Sequence, residues 1–210
     1  MYIMKKPSLL YCLSLLIIAC KQSLAVVIPD SHLVLGGSGK AGDDSYDHSL
    51  AVSQNTSNTD TTAIFFNLGQ GTLTYVNSLT DEASDWYVVQ EDDSFNAANI
   101  TSNQFTTFVR HPQGQSPITN VINISVGDFF LGVHTGDGVS SGNNDGFRNI
   151  FGWVKLNYDG SNLTYLDSAV AYNETGILVG ANVAVPEPAT YALLFGGVVL
   201  ALAVLRRKRL

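Results

Sequence analysis

The chain has 210 residues, a formal net charge of −7 and 45% hydrophobic residues. Most of its basic side chains lie near the two ends, whereas residues 26–185 hold 17 acidic side chains and only four basic ones. A surface this acidic repels phosphate backbones, which excludes nucleic-acid binding. Aromatic and β-branched residues recur through the same stretch, which excludes a disordered chain.

The N-terminal segment, from Met1 to Ala25, has the pattern of a signal peptide. Two lysines precede an apolar run at residues 9–19. That run fits the roughly 7–15 residues of a signal-peptide core and is too short to cross a bilayer. The small residues Ser23 and Ala25 predict cleavage by signal peptidase after Ala25. The alternative is a bacterial lipobox, since Ile17-Ile18-Ala19-Cys20 resembles the sequence in which a lipid is attached to the cysteine.

Both cysteines, Cys12 and Cys20, lie inside this segment. The exported part of the chain is therefore expected to contain no disulfide, no thiolate nucleophile and no cysteine metal ligand. Burial of apolar surface has to hold it together, and the stretch from Val26 to Val185 is long enough to build a core of that kind.

The C-terminal segment, from Pro186 to Leu210, consists of three parts. Pro186, Glu187 and Pro188 come first, residues 189–205 form an uncharged apolar run, and residues 206–210 form a basic tail. The run predicts a transmembrane helix near the minimum length, because a helix rises about 1.5 Å per residue. The two prolines keep Glu187 extended and accessible to a protease.

The basic tail predicts the orientation of this helix. Its four charged residues should stay cytoplasmic under the positive-inside rule, which leaves the body of the protein outside. They are Arg206, Arg207, Lys208 and Arg209.

This tail resembles the PEP-CTERM sorting signal of Gram-negative bacteria in Val185-Pro186-Glu187-Pro188-Ala189, in the apolar span and in the Arg-rich end. The resemblance implies an inner-membrane intermediate that an exosortase recognises, and whose tail it removes on the way to the cell surface. It also implies an association with exopolysaccharide, biofilm and floc. An ordinary tail anchor and a GPI signal are the alternatives, although a GPI tail does not normally end in basic residues.

Residues 26–185 predict an antiparallel β-sandwich, with a jelly-roll topology preferred. Ser, Thr and Asn are abundant there and lysine is rare, a composition that disfavours helices. Alternating patterns occur at residues 122–126 and 177–183, and Asp159-Gly160 predicts a hairpin between residues 150–158 and 163–170. The predicted organisation is a signal peptide (1–25), a passenger domain (26–185) and a sorting signal (186–210).

Candidate chemistry in the passenger is sparse. The sequence has no Gly-x-Ser-x-Gly nucleophile elbow and no His-Glu-x-x-His zinc motif. Its four histidines, His32, His48, His111 and His134, are scattered along the chain. We expect His134 to face outward with Phe130, and we expect no enzymatic activity.

The loop at residues 136–146 is a candidate calcium site. Asp137, Asn143 and Asp145 offer oxygen atoms, and calcium takes six to eight oxygen ligands. No Asp-x-Asp-x-Asp-Gly pattern accompanies them, so a solvated acidic loop and no cofactor are expected, with calcium as the alternative.

The aromatic residues Trp86, Tyr87 and Trp153 are candidates for stacking on sugar rings, although burial in the core is the preferred interpretation. Trp153 is predicted either to be exposed or to lie in a second buried layer. The leading hypothesis is a non-enzymatic exported protein of the cell envelope or extracellular matrix. The alternatives are a carbohydrate- or calcium-binding module and a secreted hydrolase with paired carboxylates.

Overall fold

The computed structural model describes residues 26–41, 43–59, 61–76, 84–111, 116–136, 149–172, 175–185 and 196. One short helix, α1 (Ala97–Thr101), accompanies the strands. The strands in chain order are β1 (Val26–Pro29), β2 (Leu33–Gly36), β3 (Gly39–Ala41), β4 (Asp44–Tyr46), β5 (His48–Ser53), β6 (Thr61–Gly69), β7 (Thr72–Tyr75), β8 (Asp85–Val89), β9 (Ser94–Asn96), β10 (Thr106–Arg110), β11 (Ile118–Thr119), β12 (Ile122–Asn123), β13 (Gly127–Gly136), β14 (Asn149–Tyr158), β15 (Leu163–Tyr172) and β16 (Gly176–Leu178).

Two large antiparallel sheets dominate the described part of the chain. The larger has the order β1-β15-β14-β13-β8-β10-β11, and the smaller has the order β12-β7-β6-β5-β2. Two small sheets pair β16 with β9 and β3 with β4. The prediction of a mostly β, antiparallel domain is confirmed.

The strand order differs from the expected jelly roll. A jelly roll passes the chain repeatedly between its two sheets. Here β5-β6-β7 form a meander within the smaller sheet, and β13-β14-β15 form a meander within the larger sheet. Tight turns explain the difference, because they pair each strand with its successor. Gly71, at φ 75°, lies in the turn between β6 and β7, and Gly160, at φ 102°, lies in the turn between β14 and β15.

Side chains from both large sheets form a shared apolar cluster, which we call the first core. The smaller sheet contributes Leu50 and Phe66, and the larger sheet contributes Trp86, Leu131 and Leu156, all with 0% of their surface exposed. Two sheets packed around one core are consistent with a β-sandwich.

The predicted hairpin at residues 150–170 is confirmed. Tyr158 pairs with Leu163, and the Asp159 carboxylate accepts hydrogen bonds from the backbone N–H groups of Ser161 and Asn162 at 2.8 and 2.7 Å. Along β14, Ile150, Val154, Leu156 and Tyr158 all enter the first core, as their alternation predicts.

The opposite face of the larger sheet carries a second apolar cluster, the second core. Phe151 and Trp153 of β14 pack there with Phe95 of β9 and with Ile177 and Val179 near the end of the passenger. Of the two alternatives predicted for Trp153, the structure therefore selects the second buried layer. Both faces of β14 are therefore buried, which explains why apolar residues occur at its even-numbered and at its odd-numbered positions.

Two predicted strands are shorter than expected. The alternating stretch at residues 177–183 turns at Gly180, which has φ 79°, and Val183 is 56% exposed. The stretch at residues 122–126 ends as a strand at Asn123, and Val126 is 71% exposed before Gly127 at φ 121°. Both predicted lengths were wrong, and in the stretch at residues 177–183 the positive φ of Gly180 interrupts the pleat.

The expected terminal signals lie outside the described residues. They are the signal peptide at residues 1–25, with Ala25 and Cys20, and the sorting signal at residues 186–210, of which only Gly196 is described. Within the described stretches, no helix is both long enough and apolar enough to cross a membrane.

Candidate functional site at the C-terminal junction

The passenger ends in a tight hairpin at residues 176–185, which we call the closing hairpin. Its first strand, β16, pairs with β9 through Ile177 and Phe95. The returning strand comes back along β16: Leu178 N donates to Val183 O at 3.0 Å, and Ile177 forms a bridge with Ala184. The last residues of the passenger are thereby attached to its folded body.

The closing hairpin is anchored by burial and by hydrogen bonds. Ile177 and Val179 are fully buried in the second core. Val179 N donates to Asp93 O at 3.0 Å, and the indole N–H of Trp153 donates to Ala181 O at 3.1 Å. These contacts hold β16 and the turn that follows it against Asp93 and against Trp153 of the larger sheet.

Val185 is the last described residue before the predicted sorting motif, and both of its backbone polar groups are paired. Its N–H donates to Gly176 O at 3.0 Å, and its carbonyl accepts from the Thr175 hydroxyl at 3.2 Å. Pro186, the first residue of the predicted motif, follows directly in the sequence. The predicted motif therefore begins immediately after a residue that the closing hairpin holds.

Gly176 explains how closely the closing hairpin approaches β9. A Cβ atom at this position would lie 2.5 Å from both the Asn96 Cβ and the Phe95 carbonyl oxygen. Only glycine fits this approach without a shift of the backbone. Sequence reasoning missed this junction, because a glycine before an apolar pair is a weak signal by itself.

The four histidines make separate contacts. His32 Nδ1 lies 2.6 Å from the Tyr172 hydroxyl, which donates to Ser53 O at 3.1 Å. Burial lowers the pKa of His32 and of His48, and burial raises the pKa of Tyr172 to about 12. His32 is thus a neutral structural residue at neutral pH.

The other two histidines belong to the larger sheet: His134 lies in β13, and His111 directly follows β10. The backbone N–H of His111 donates to Asp85 Oδ1 at 2.7 Å, and the ring of His134 stacks on Phe151 at 4.6 Å between ring centroids. The expectation that His134 and Phe130 face outward was wrong. The second core covers this face of the sheet, so Phe130 is buried and His134 is half-buried.

One pair of carboxyl groups comes together that the sequence did not single out. Asp30 follows β1, and Asp167 lies beside the bulge where β15 pairs with Lys155 and Leu156. The pKa of Asp167 is raised by burial and then by a hydrogen bond with Asp30, and the Tyr165 hydroxyl donates to Asp30 Oδ1 at 3.2 Å. Both burial and the hydrogen bond with Asp30 favour the protonated form of the Asp167 carboxyl group.

The aromatic candidates for sugar binding are buried. Trp86, Tyr87 and Trp153 are 0%, 3% and 1% exposed. None of these rings presents a face to solvent, so the carbohydrate-binding alternative loses the residues on which it rested. Their burial confirms the preferred interpretation that they pack in the core.

The candidate calcium ligands Asp137, Asn143 and Asp145 lie outside the described residues. Elsewhere, in the part of the chain that the structure describes, no three His, Cys, Asp or Glu side chains come together in a way that could hold a metal ion.

The C-terminal end of the sequence carries a recognised export signal. Residues 184–209 match the family model of the PEP-CTERM protein-sorting motif, which confirms the prediction made from the tail. This motif implies an extracellular protein that an exosortase sorts, with a membrane-anchored sorting signal before processing. No curated protein and no solved structure matches the chain.

Proposed function

We propose that this chain is a non-enzymatic surface or matrix protein whose β-rich passenger is delivered by two sorting signals. Signal peptidase removes residues 1–25, and residues 189–205 hold the passenger at the inner membrane with the basic tail in the cytoplasm. An exosortase then recognises Pro186, Glu187 and Pro188 and removes the tail. The observation that carries the proposal is the motif match at residues 184–209, which starts where the passenger ends.

The chemistry of the passenger supports a structural role. The histidines make separate contacts: His32 bonds to the Tyr172 hydroxyl, and the His134 ring stacks on Phe151. The three aromatic candidates for sugar binding are buried in the two cores. A packed, acidic domain of this kind is better suited to display at a surface than to catalysis.

An exopolysaccharide is the proposed partner of the displayed passenger. Its acidic surface favours a neutral or cationic polymer over an anionic one. Disrupting polysaccharide synthesis in the producing cell should move the processed protein from the cell-associated fraction to the medium. An unchanged distribution would show that the polymer does not retain it.

The processing step is tested with Glu187→Ala in the full chain. The substitution leaves the apolar span unchanged, so insertion should persist while removal of the tail stops. Intact-mass measurement of membrane and surface fractions should find an unprocessed membrane form, whereas Asp44→Ala, which removes an exposed charge from the passenger, should be processed normally. If Glu187→Ala is processed like the wild type, the tail is a plain membrane anchor.

A further inference from the structure

Three strongly exposed apolar side chains lie within nine residues of one another. Ile118, Val121 and Val126 are 48%, 59% and 71% exposed. The segment that holds them, residues 118–126, contains no charged residue, no proline and no glycine, and we call it the neutral edge. Its residues are mostly Ile, Val and Thr, which favour strands. A segment of this composition pairs readily with another strand.

The neutral edge borders both large sheets. It contains β11, the last strand of the larger sheet, and β12, the last strand of the smaller sheet. Asn120 N donates to Phe108 O at 2.9 Å, and Ile124 N donates to Gly71 O at 2.8 Å. The segment is thus bonded to the body of the passenger along its inner side, and no strand of the described residues lies beyond it.

The backbone of the neutral edge also has groups that point outward. Successive residues of an antiparallel strand alternate between hydrogen-bonded and non-hydrogen-bonded pairs. Because Asn120 and Ile124 bond inward, the backbone groups of Thr119 and Asn123 point away from β10 and β7. The side chains of Thr119 and Asn123 are exposed as well. Both residues can therefore take part in pairing with a further strand.

The opposite edge of the larger sheet is protected against such pairing. Its last strand, β1, ends at Pro29, which has no N–H, and Asp30 follows directly. Proline and charge are the usual means by which proteins block an edge strand. The neutral edge has neither, so it is the less protected of these two edges.

The charge of the passenger favours a second copy of this chain as the partner. Residues 26–185 hold 17 acidic and four basic side chains, so two copies repel each other over most of their surfaces. Contact through the neutral edge places no like charges opposite each other. The edge is also self-complementary: antiparallel pairing about a two-fold axis at Val121 sets Thr119 of each copy opposite Asn123 of the other. These are the residues whose backbone groups point outward.

We propose that the neutral edge is a self-association site, at which two copies pair antiparallel around Val121. The proposal does not depend on removal of the tail, because the site lies within the passenger. An edge of this length covers less surface than the roughly 1,200–2,000 Å² of stable complexes, so pairing is weak in dilute solution. Display at a surface raises the effective concentration and favours the paired form.

The test is disulfide formation by the full chain in the producing cell, with copper phenanthroline as oxidant and a non-reducing gel as readout. Opposite Cα atoms of an antiparallel pair lie about 5.5 Å apart, within the roughly 4.4–6.8 Å that a disulfide spans. Val121→Cys should therefore raise the disulfide-linked dimer about fivefold or more above the wild type. The wild type sets the background, because both native cysteines lie within residues 1–25.

Val126→Cys is the matched control, because residue 126 is even more exposed than residue 121. In the proposed register the two copies of residue 126 lie ten residues apart along the strands, about 33 Å at 3.3 Å per residue. Val126→Cys should stay at the wild-type level. Equal cross-linking by both variants would overturn the inference. A wild-type level for Val121→Cys, as expected if a polysaccharide covers the edge, would overturn it too.

A charge pair tests the register. Thr119→Glu with Asn123→Glu, added to Val121→Cys, sets Glu opposite Glu twice, and like charges directly opposite each other are destabilising. Cross-linking should fall about fivefold or more. Thr56→Glu with Thr164→Glu adds the same charge at exposed positions outside the neutral edge and should leave cross-linking unchanged. Equal losses from the two pairs would show that overall charge controls the contact, which would overturn the proposed pairing.

Discussion

The side chains of the first core and of the second core are buried to a similar degree, but different parts of the chain shield them from solvent. The first core lies between two sheets of seven and five strands. The second core lies on the outer face of the larger sheet and is covered by β9 and β16, three residues each, and by the residues around the turn of the closing hairpin.

Short covering elements open more easily than long sheets, because fewer contacts must break at once. The second core should therefore lose its cover in local openings that leave the first core folded. Its cover also contains the residues that lead into the sorting motif. The comparison indicates that stability near the junction is set by the second core and global stability by the first.

The largest expected effect comes from removing one indole from each core. Trp86→Ala and Trp153→Ala each remove a fully buried ring, a change that typically costs about 3–5 kcal/mol. Trp86→Ala also leaves the Ser84 hydroxyl without the indole N–H that donates to it at 2.8 Å. Denaturant unfolding should show a large loss of global stability for this variant.

Trp153→Ala should act mainly on the closing hairpin, since it removes the hydrogen bond to Ala181 O as well as packing in the second core. Hydrogen exchange should show lost protection at Leu178, Val179 and Val185 before the strands of the smaller sheet are affected. Uniform loss of protection across both sheets in this variant would mean that the two cores form one cooperative unit.

An intermediate effect is expected from Gly176→Ala. The new Cβ would lie 2.5 Å from the Phe95 carbonyl oxygen and the Asn96 Cβ, so β16 must move away from β9. Overpacking of this kind typically costs about 1–3 kcal/mol, and the cost should fall on the closing hairpin. Thermal unfolding and hydrogen exchange measure it.

Gly37→Ala is the matched control, because a Cβ at residue 37 meets nothing within 4 Å. It should leave the melting temperature nearly unchanged. Equal melting temperatures for Gly176→Ala and Gly37→Ala would contradict the tight approach of β16 to β9.

The sequence predicted those parts of the fold that depend on local patterns. The hairpin from β14 to β15 was predictable, because alternation on both sides of Asp159-Gly160 specifies register and turn together. The sorting motif was predictable for a similar reason, since its three parts follow one another along the chain.

The parts that could not be predicted depend on contacts between distant residues. Alternation continued through residues 177–183, and nothing local showed that Gly180 turns the chain there. Asp30 and Asp167 meet because β1 pairs with β15 across the larger sheet, a pairing that no local signal indicates. The junction at Thr175 and Val185 belongs to the same kind, because it exists only once β16 has returned to β9.

The smallest expected effect is a pH dependence that separates the first core from the second. His32 and Tyr172 are bonded at the boundary of the first core, and burial lowers the pKa of His32. An unfolded histidine has a pKa of about 6.5, so below that pH the unfolded chain binds a proton that the folded chain takes up less readily. Stability should therefore be fully present above about pH 7 and should fall as the pH decreases through about 6.5, with His48 contributing in the same direction.

The measurement is the melting temperature between pH 7.5 and 5.0, where a decrease of a few degrees is expected. His32→Asn keeps a donor near the position of Nδ1 and removes the titration, so its melting temperature should change less over this range than that of the wild type. Asp128 and Asp159 do not interfere, because their hydrogen bonds hold their pKa values below the ordinary value of a carboxyl group.

Since neither His32 nor His48 belongs to the second core, hydrogen exchange in the closing hairpin should stay constant over the same pH range, as long as global unfolding is rare. Loss of protection confined to the closing hairpin would place the pH-sensitive group in the second core instead of at His32.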